Sequence, residues 1–258
     1  MPQTKIVFFD IDGTLIDMQA KKITPKMLET LHRLQDRGIK ICIATGRSPM
    51  VLPKIDDVAF DAYLTFNGSL CYDRKGVIFS NPIPHKDVVR FIQNAAALGR
   101  PICVSTRDRL AANGADTDLT DYFAIANEDV PIVDNFDAMC EEDIYQLMLG
   151  CRPKDYPALL DGAPGAKIAA WWDRAVDVIP AGGGKGIGIE KMLAYYGLDK
   201  SEALAFGDGN NDREMLLAVG TGVAMENGSP ELKALADEIC GPVYEDGIYH
   251  YCTSKGLI

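Results

Sequence analysis

Short apolar runs of strand length alternate with amphipathic stretches through the first third of the chain. The run Lys5–Phe9 predicts a buried strand, and apolar residues recur at helical spacing within the segment Thr24–Arg37. Thr24 suits a helix N-cap, Pro25 suits the first helical position and Gly38 suits the stop, so this segment predicts a helix. The same criteria predict strands at Ile39–Ala44 and Tyr63–Phe66, a short helical piece between Pro49 and Pro53, and a hairpin of Ser69–Tyr72 and Val77–Ser80.

The pattern changes between about residues 82 and 180 and then returns to regular alternation. The middle segment predicts a helix at Lys86–Leu98, then strands at Ile102–Ser105, Tyr145–Leu149, Lys167–Trp172 and Val176–Ile179. The last third predicts helices at Gly186–Tyr196, Asp212–Ala218 and Pro230–Ala236, with strands at Ala203–Phe206 and Gly222–Ala224 between them. Strands and helices that alternate on both flanks are typical of α/β proteins with a doubly wound parallel sheet. We therefore predict a core formed by residues 1–82 and 181–258, with residues 83–180 inserted as a second domain.

Charge and cysteine content narrow the classes of function. The 258 residues carry 26 Lys and Arg against 37 Asp and Glu, a formal net charge of −11. Nucleic acids and anionic membranes are bound by basic patches, so this balance argues against both partners. No stretch reaches the ~18–20 apolar residues of a membrane span, and the apolar run before Asp10 is too short for a signal peptide. We therefore expect a cytoplasmic protein. It is expected to be a monomer or a weak homo-oligomer. The seven cysteines form no CxxC pair, and most of them, such as Cys42 and Cys103, are expected to be core residues.

Two acidic residues come directly after the first predicted strand, in the sequence Asp10-Ile11-Asp12-Gly13-Thr14. Residues two apart on a strand share a face, so the carboxylates of Asp10 and Asp12 are expected to converge. Carboxylates at the end of a buried strand are unfavourable unless a cation or a catalytic task retains them. We hypothesise that Asp10 is a nucleophile that forms an aspartyl-phosphate and that Asp12 is the general acid and base. The alternative is that both residues cap a turn at Gly13-Thr14.

A second acidic loop follows the strand Ala203–Phe206. Its polar residues are Asp208, Asn210, Asn211 and Asp212, and capping the helix that follows needs only one of them. Mg²⁺ prefers hard oxygen ligands, few protein carboxylates, and substrate phosphate with water. The loop therefore has more polar residues than capping needs, which favours a magnesium site made by Asp10, the backbone carbonyl of Asp12, and Asp208.

Two further segments carry groups that suit a phosphate. Thr45 and Gly46 follow a predicted strand and offer a hydroxyl and backbone N–H groups, which is compatible with a helix cap as well. Lys185 lies in a run of glycines that is not a Walker A loop, because Gly186 stands where that motif has Ser or Thr. It is predicted to act as a point charge on phosphate, the alternative being an inert exposed lysine.

Together these segments resemble the haloacid dehalogenase superfamily of phosphatases, and within it the Cof-like sugar phosphatases. The resemblance rests on DxDGT at residues 10–14, Thr45-Gly46-Arg47, Asn67-Gly68, Lys185, and GDGNND at residues 207–212. It implies a Rossmann-like core, a mobile α/β cap as the insert, and Mg²⁺ bound by Asp10, Asp12 and Asp208, with Asp212 supporting the metal or Lys185. It also implies that Thr45, Gly46, Lys185 and Asn211 hold the phosphate. Members of the family often have a polar residue before the lysine, so Gly184 predicts a more loosely held Lys185.

The expected function is Mg²⁺-dependent hydrolysis of a small phosphorylated metabolite, such as a sugar phosphate. Two alternatives stay open: a phosphomutase or phosphotransferase on the same scaffold, and a non-catalytic metabolite sensor. The intact set of Asp10, Asp12, Lys185 and Asp208 argues against the sensor.

Substrate choice is assigned to the inserted segment. Candidates for contacts with the leaving group, each with surface exposure alone as the alternative, are Arg107, Arg109, Asn113, Trp172, Asp173 and Arg174. Trp171 and Trp172 are adjacent, so in a strand one of them is expected to face the core.

Overall fold

The computed structural model describes residues 3–55, 58–125, 128–170 and 172–258. Contacts divide the chain into two units. The first unit consists of Met1–Gly46, Pro53–Ser80 and Gly184–Ile258, and the second of Arg47–Leu52 and Asn81–Gly183. The predicted domain boundaries, which assign residues 1–82 and 181–258 to a core and 83–180 to a cap, stay a prediction.

The strands belong to two sheets. In chain order they are β1 (Ile6–Phe9), β2 (Lys40–Ala44), β3 (Ala62–Thr65), β4 (Leu70–Asp73), β5 (Gly76–Ser80), β6 (Ile102–Ser105), β7 (Leu110–Ala112), β8 (Gln146–Gly150), β9 (Ala166–Ala169), β10 (Ala175–Pro180), β11 (Ala203–Gly207), β12 (Thr221–Met225) and β13 (Glu238–Cys240).

The helices are distributed over both units. They are α1 (Pro25–Asp36), α2 (His85–Ala97), α3 (Thr117–Ile125), α4 (Phe136–Met139), α5 (Tyr156–Leu160), α6 (Lys185–Tyr196), α7 (Arg213–Ala218), α8 (Pro230–Lys233) and α9 (Gly247–Ser254).

The sheet of the first unit has the strand order β13-β12-β11-β1-β2-β3-β4-β5. Pairing is parallel from β13 to β3, and β4 and β5 add an antiparallel hairpin at one edge. The chain moves outward from β1 in one direction through β2 and β3, and from β11 in the other direction through β12 and β13. The boundary between β1 and β11 is therefore a topological switch point, where sheets of this kind bind their ligands. The prediction of an α/β fold with a parallel central sheet is confirmed.

Both faces of this sheet are covered by helices because the central strands are apolar on both sides. Ile6 and Phe8 point into a cluster with Ile189 and Met192 of α6 and residues of α7 and α8. On the other face, Phe206 contacts Tyr251 of α9 edge to face, with ring centroids 5.3 Å apart. The sheet thus forms the middle layer of three, which fixes the loops at its strand ends.

Helix α1 begins and ends where the sequence predicts. Thr24 accepts a hydrogen bond from Met27 N at 3.1 Å through its hydroxyl, and Pro25 is the first helical residue. Gly38 has a φ of +73° and takes the chain out of the helix.

The sheet of the second unit is antiparallel, with the strand order β7-β6-β8-β10-β9. Val88 and Phe91 of α2 and Leu159 of α5 pack on one face, against Leu147 and Val178 among others. A smaller cluster of Leu119 and Phe123 with Cys103 and Met148 places α3 on the other face. The inserted segment is thus itself an α/β unit.

Three predicted elements differ from the structure for an identifiable reason, and several others are shifted by one residue at an end. The predicted strand Lys167–Trp172 ends at Ala169, which pairs with Asp177. Continued pairing would place Trp172 opposite Arg174 and leave one residue for the turn, fewer than a hairpin needs. The prediction for Trp171 lies outside the described residues, and Trp172 is not in a strand. The predicted helix Pro230–Ala236 ends at Lys233 because the chain turns there toward β13. Helix α7 begins at Arg213 rather than at Asp212, since residues 210–212 form a 3₁₀ turn.

All seven cysteines are buried and free, whereas the sequence predicted a core position for most of them. Of the helices in the described ranges, none combines the length and apolar content that a membrane crossing requires.

Candidate active site

Asp10 and Asp208 lie on the two sides of the switch point. Phe9 at the end of β1 is paired in register with Phe206 of β11, and Asp10 N donates a hydrogen bond to Phe206 O at 3.0 Å. Because the two strands are parallel neighbours, their following loops leave the sheet at the same edge. The sequence motifs that begin at Asp10 and at Asp208 therefore meet in space.

Lys185, the first residue of α6, is buried between the loop after β1 and the loop after β11. Its side chain is fully buried, and Nζ lies 2.6 Å from Asp10 Oδ1 and 2.5 Å from Asp212 Oδ1. Burial works to lower the pKa of Lys185, but the two carboxylates outweigh it and raise the pKa, so the ammonium stays charged. The expectation of a loosely held lysine is wrong, and so is the alternative of an exposed one.

Gly184 is required by the way Lys185 enters its helix. Its φ of +149° lies in a region that residues with a side chain rarely adopt. A Cβ at Gly184 would also overlap the carboxylate of Glu214, the second residue of α7. The missing side chain thus allows close packing of the lysine segment rather than loosening it.

Asp212 organises the loop after β11. It is fully buried; Oδ1 accepts the bond from Lys185, and Oδ2 accepts bonds from Asp208 N at 3.0 Å and Gly209 N at 2.9 Å. The loop's capping requirement is met by this one carboxylate, which leaves the side chain of Asp208 for another role.

The loop after β1 is tied to the loop after β11. Thr14 Oγ1 donates to Asp208 Oδ1 at 2.9 Å, and Gly13, with a φ of +86°, lies so close that a Cβ there would overlap the Asp208 carboxylate. Asn227 Nδ2 donates to Gly13 O at 2.8 Å from the loop after β12. The Asp10 carboxylate binds Lys185 and caps no turn, so the capping alternative does not describe Asp10.

The pKa values of the carboxylates at this site are raised because the carboxylates are buried close together. Burial raises the pKa of Asp10 well above its usual range; Lys185 opposes this rise, and the charges of Asp212 and Asp208 add to it. Burial, together with the charge of Asp212, raises the pKa of Asp208 to about 6, and Asp12 lies near enough to contribute. The site carries more negative charge than one lysine balances.

The donor set fits a divalent cation. Asp10, Asp208 and Asp212 each offer one carboxylate oxygen, and these oxygens lie within 4.8 Å of one another. Hard oxygen donors at this spacing suit Mg²⁺, and a cation would relieve the repulsion that raises their pKa values. Among the described residues, the carboxylate of Asp12 is not part of this group, and the role of its backbone carbonyl stays a prediction.

Thr45, Gly46 and Asn211 are brought together through one residue that the predicted site does not include. Asn67 N donates to Thr45 O at 3.0 Å, and its Oδ1 accepts from Asn211 Nδ2 at 3.3 Å. A Cβ at Gly46 would lie 3.1 Å from Asn67 Nδ2, so the amide packs on the Gly46 backbone. Thr45 is buried and does not cap a helix, since the next 3₁₀ turn begins at Pro49. Asn67 belongs to one of the motifs recognised in the sequence, but its contacts with Thr45, Gly46 and Asn211 could not be predicted from it.

Several candidates for leaving-group contacts have partners inside the second unit. Arg109 forms an ion pair with Glu142, and Asn113 Oδ1 accepts from Ile102 N at 2.9 Å. Arg174 binds Asp118 at 2.9 Å and stacks over the ring of Trp172 at 4.9 Å. The assignment of these residues to the leaving group stays a prediction.

Comparison with known proteins agrees with this geometry. The family model of haloacid dehalogenase-like hydrolases matches residues 7–252. The chain is 35% identical over 258 residues, 99% of each chain, to YkrA of Bacillus subtilis strain 168, to which a phosphatase activity is ascribed. The solved structure of BT1666, a phosphatase of the haloalkanoate superfamily from Bacteroides thetaiotaomicron, superimposes with a TM-score of 0.92 at 30% identity over 99% of this chain and 96% of that one. The sugar phosphatase BT4131, of subclass IIB, gives a TM-score of 0.88 at 28% identity over 99% and 100% of the two chains.

Proposed function

The chain belongs to the haloacid dehalogenase-like hydrolases and is an enzyme of the phosphatase class, and we propose that it hydrolyses small phosphate monoesters through an aspartyl-phosphate on Asp10. One observation carries the proposal: a fully buried, charged Lys185 is held 2.6 Å from Asp10 and 2.5 Å from Asp212. A buried lysine flanked by acidic groups at a sheet's switch point is suited to receive an anion beside a nucleophile.

The reaction divides into two transfers at phosphorus. In the first, an Asp10 carboxylate oxygen bonds to phosphorus while the bond to the ester oxygen breaks, and Asp12 gives its proton to the leaving oxygen. In the second, Asp12 takes a proton from water, the water oxygen bonds to phosphorus, and the Asp10–phosphorus bond breaks to release phosphate. Asp10 and Asp12 then carry the protons they carried at the start.

The negative charge of the transferred phosphoryl group would be stabilised by a lysine and by hydrogen-bond donors that the fold holds in place. Lys185 supplies a point charge, and Thr45, Gly46 and Asn211 supply hydroxyl, backbone and amide donors to the phosphoryl oxygens. Mg²⁺, held by Asp10, Asp208 and the carbonyl of Asp12, would supply further charge neutralisation as a Lewis acid. Asp212 keeps Lys185 and the loop after β11 in place.

Sugar phosphates are the proposed substrate class. The support is the similarity to the sugar phosphatase BT4131 over the whole chain, at 28% identity. We assign the choice of leaving group to the second unit, whose sequence carries arginines and a tryptophan outside the motifs of the first.

The proposal is tested by phosphate release from p-nitrophenyl phosphate and from a panel of phosphorylated sugars, nucleotides and cofactors in the presence of Mg²⁺. Release of inorganic phosphate without a bisphosphate activator supports hydrolysis. Phosphate that appears only on a second sugar would replace hydrolysis by phosphotransfer. Absence of turnover on the whole panel would contradict the proposal and favour a sensor.

A further inference from the structure

Three consecutive residues after β3 have left-handed backbone conformations. Phe66 has a φ of +50°, Asn67 of +51° and Gly68 of +90°. Phe66 and Asn67 are both buried, and a positive φ is unfavourable for a bulky residue such as Phe66. Strain of this kind persists only where surrounding contacts hold it, and it concentrates at functional sites.

The strained segment touches two of the segments assigned to phosphate binding through Asn67. Its backbone N–H binds Thr45 O at 3.0 Å, and its side-chain amide lies against the backbone of Gly46. From the other side, Asn211 Nδ2 donates to Asn67 Oδ1 at 3.3 Å. One buried amide therefore connects the loop after β2 with the loop after β11.

The segment touches the third phosphate-binding segment through Gly68. A Cβ at Gly68 would overlap the carbonyl of Gly184 and lie 3.2 Å from Cα of Lys185. The left-handed turn thus packs directly against the start of α6. A regular continuation of β3 would carry the chain past these contacts, which explains why the strained conformation is kept.

We propose that Asn67 is a positioning residue, whose amide sets the separation of Gly46 and Asn211 so that both donate to the same phosphoryl group. This inference rests on the proposed function, which makes Gly46 and Asn211 phosphate ligands. Asparagine is the side chain best suited to the task, because it tolerates the left-handed conformation and offers both a donor and an acceptor.

Three variants separate positioning from simple structural support. Asn67→Gly keeps the left-handed backbone without strain but removes the amide. Asn67→Asp keeps an oxygen acceptor for Asn211 but loses the N–H donor and adds a negative charge near the phosphate. Ser69→Ala is the matched control, because Ser69 Oγ, in the described part of the chain, is buried without a hydrogen-bond partner.

The readouts are kcat and KM with p-nitrophenyl phosphate, the inhibition constant of inorganic phosphate, and the melting temperature. For Asn67→Gly we expect KM and the phosphate inhibition constant to rise about tenfold, equivalent to one good hydrogen bond, with kcat within about threefold. The melting temperature is expected to change little, because relief of the left-handed strain offsets the lost hydrogen bond and the greater freedom of the unfolded chain. Asn67→Asp is expected to weaken phosphate binding further. Ser69→Ala is expected to keep wild-type kinetics.

Wild-type KM and phosphate inhibition in Asn67→Gly would overturn the proposal. A parallel fall of kcat and melting temperature with unchanged phosphate affinity would also overturn it, since that is the signature of structural support alone. Calorimetric titration with inorganic phosphate tests the role of Asn67 separately from the proposed hydrolysis. If the wild type binds phosphate but turns over no ester, the proposed function fails while the Asn67 comparison is still decided by the affinity of Asn67→Gly.

Discussion

At the scale of single residues, Lys185 combines a chemical task with a structural one. Its ammonium is fully buried and bonded to Asp10 and Asp212. An ion pair in the interior contributes little net stability, but removing one partner leaves an unpaired buried charge, which is strongly unfavourable. The residue that we propose to receive the phosphate therefore also holds two carboxylates in the interior.

Replacing Lys185 with methionine is expected to lower the free energy of unfolding by about 3–5 kcal/mol, because Asp10 and Asp212 lose their shared cation. Urea unfolding measures this change. Lys191→Met, on the exposed side of the same helix, is the control and is expected to change the free energy by less than about 1 kcal/mol. Equal effects of the two substitutions would contradict a paired, buried Lys185.

Replacing Asp10 with asparagine is expected to reduce kcat by at least about 10⁴-fold, because the amide cannot attack phosphorus. Folding is expected to survive, since the side chain keeps its shape and Lys185 keeps its bond to Asp212. Steady-state kinetics measures the loss of kcat, and circular dichroism checks that the variant is folded. Asp36→Asn, at an exposed position at the end of α1, is the matched variant and is expected to remain fully active.

The sequence predicted most of the chemistry of this site but not its restraints. Asp10, Lys185 and Asp208 are recognisable because carboxylates and a lysine in glycine-rich loops after apolar strands have few structural uses. The work of Asn67 depends on a backbone angle and on contacts between distant loops, neither of which leaves a periodic signal. The burial of Lys185 was likewise invisible, because Gly184 is informative only once Glu214 is seen beside it.

At the scale of elements, the alternation of strands and helices predicted the parallel part of the large sheet. The reliable signals were strong apolar runs, such as those of β1, β2 and β11, and clear caps such as Thr24. Helix α3 was not predicted because it spans only nine residues of the mostly polar stretch before Tyr145 and buries only two apolar side chains, Leu119 and Phe123. Helix α9 was missed for a similar reason, since aromatic and small residues dominate it.

Besides its apolar contacts, helix α3 is tied to the rest of the second unit by the carboxylate of Asp118, which makes a testable contribution to stability. Asp118 accepts hydrogen bonds from Arg152 at 3.0 Å, Arg174 at 2.9 Å and Arg100 at 3.0 Å. The bond from Arg152, supported by the other two guanidinium groups, lowers the pKa of Asp118 to about 2. A folded-state pKa below that of the unfolded chain stabilises the protein above about pH 4, and this stabilisation is lost as the pH falls toward 2.

Asp118→Asn is therefore expected to destabilise the protein at pH 7 by roughly 1–2 kcal/mol and to flatten the decline in melting temperature between about pH 4 and pH 2. Thermal unfolding across a pH series measures both effects. Asp121→Asn removes a half-exposed carboxylate whose ion-pair partner, in the described part of the chain, is Arg174, and it is expected to have little effect. A pH profile of Asp118→Asn that matches the wild type would contradict the assignment.

At the scale of the whole molecule, a chain with a net charge of −11 can bind an anionic phosphate ester only if positive groups are concentrated at the site. The acidic chain concentrates its site around Lys185 and a group of three carboxylates that fits a cation. The alternation of strands and helices predicted the fold class, whereas the switch point between β1 and β11 follows from the strand order that the structure shows. The pairing of the strands in the second unit could not be predicted, because the paired strands β6 and β8, and likewise β8 and β10, are separated in the chain by other elements.

Removal of divalent metal is expected to abolish turnover and to leave the secondary structure unchanged, with activity restored by Mg²⁺. The physical reason is that Asp10 and Asp208 repel each other in a buried site and bind phosphate poorly without a cation. Addition of Mg²⁺ to the chelated protein is also expected to raise its melting temperature, whereas Asp208→Asn is expected to respond weakly. Full activity after exhaustive chelation would exclude the proposed metal role.

The most direct test of the mechanism is to trap the phosphorylated enzyme during turnover. Protein incubated with Mg²⁺ and p-nitrophenyl phosphate is quenched in acid within milliseconds, digested, and analysed by mass spectrometry for one added phosphoryl group. We expect the modification on Asp10, and we expect it to be absent from Asp10→Asn and from chelated protein. A phosphoryl group on another residue, or turnover in Asp10→Asn at the wild-type rate, would contradict the account.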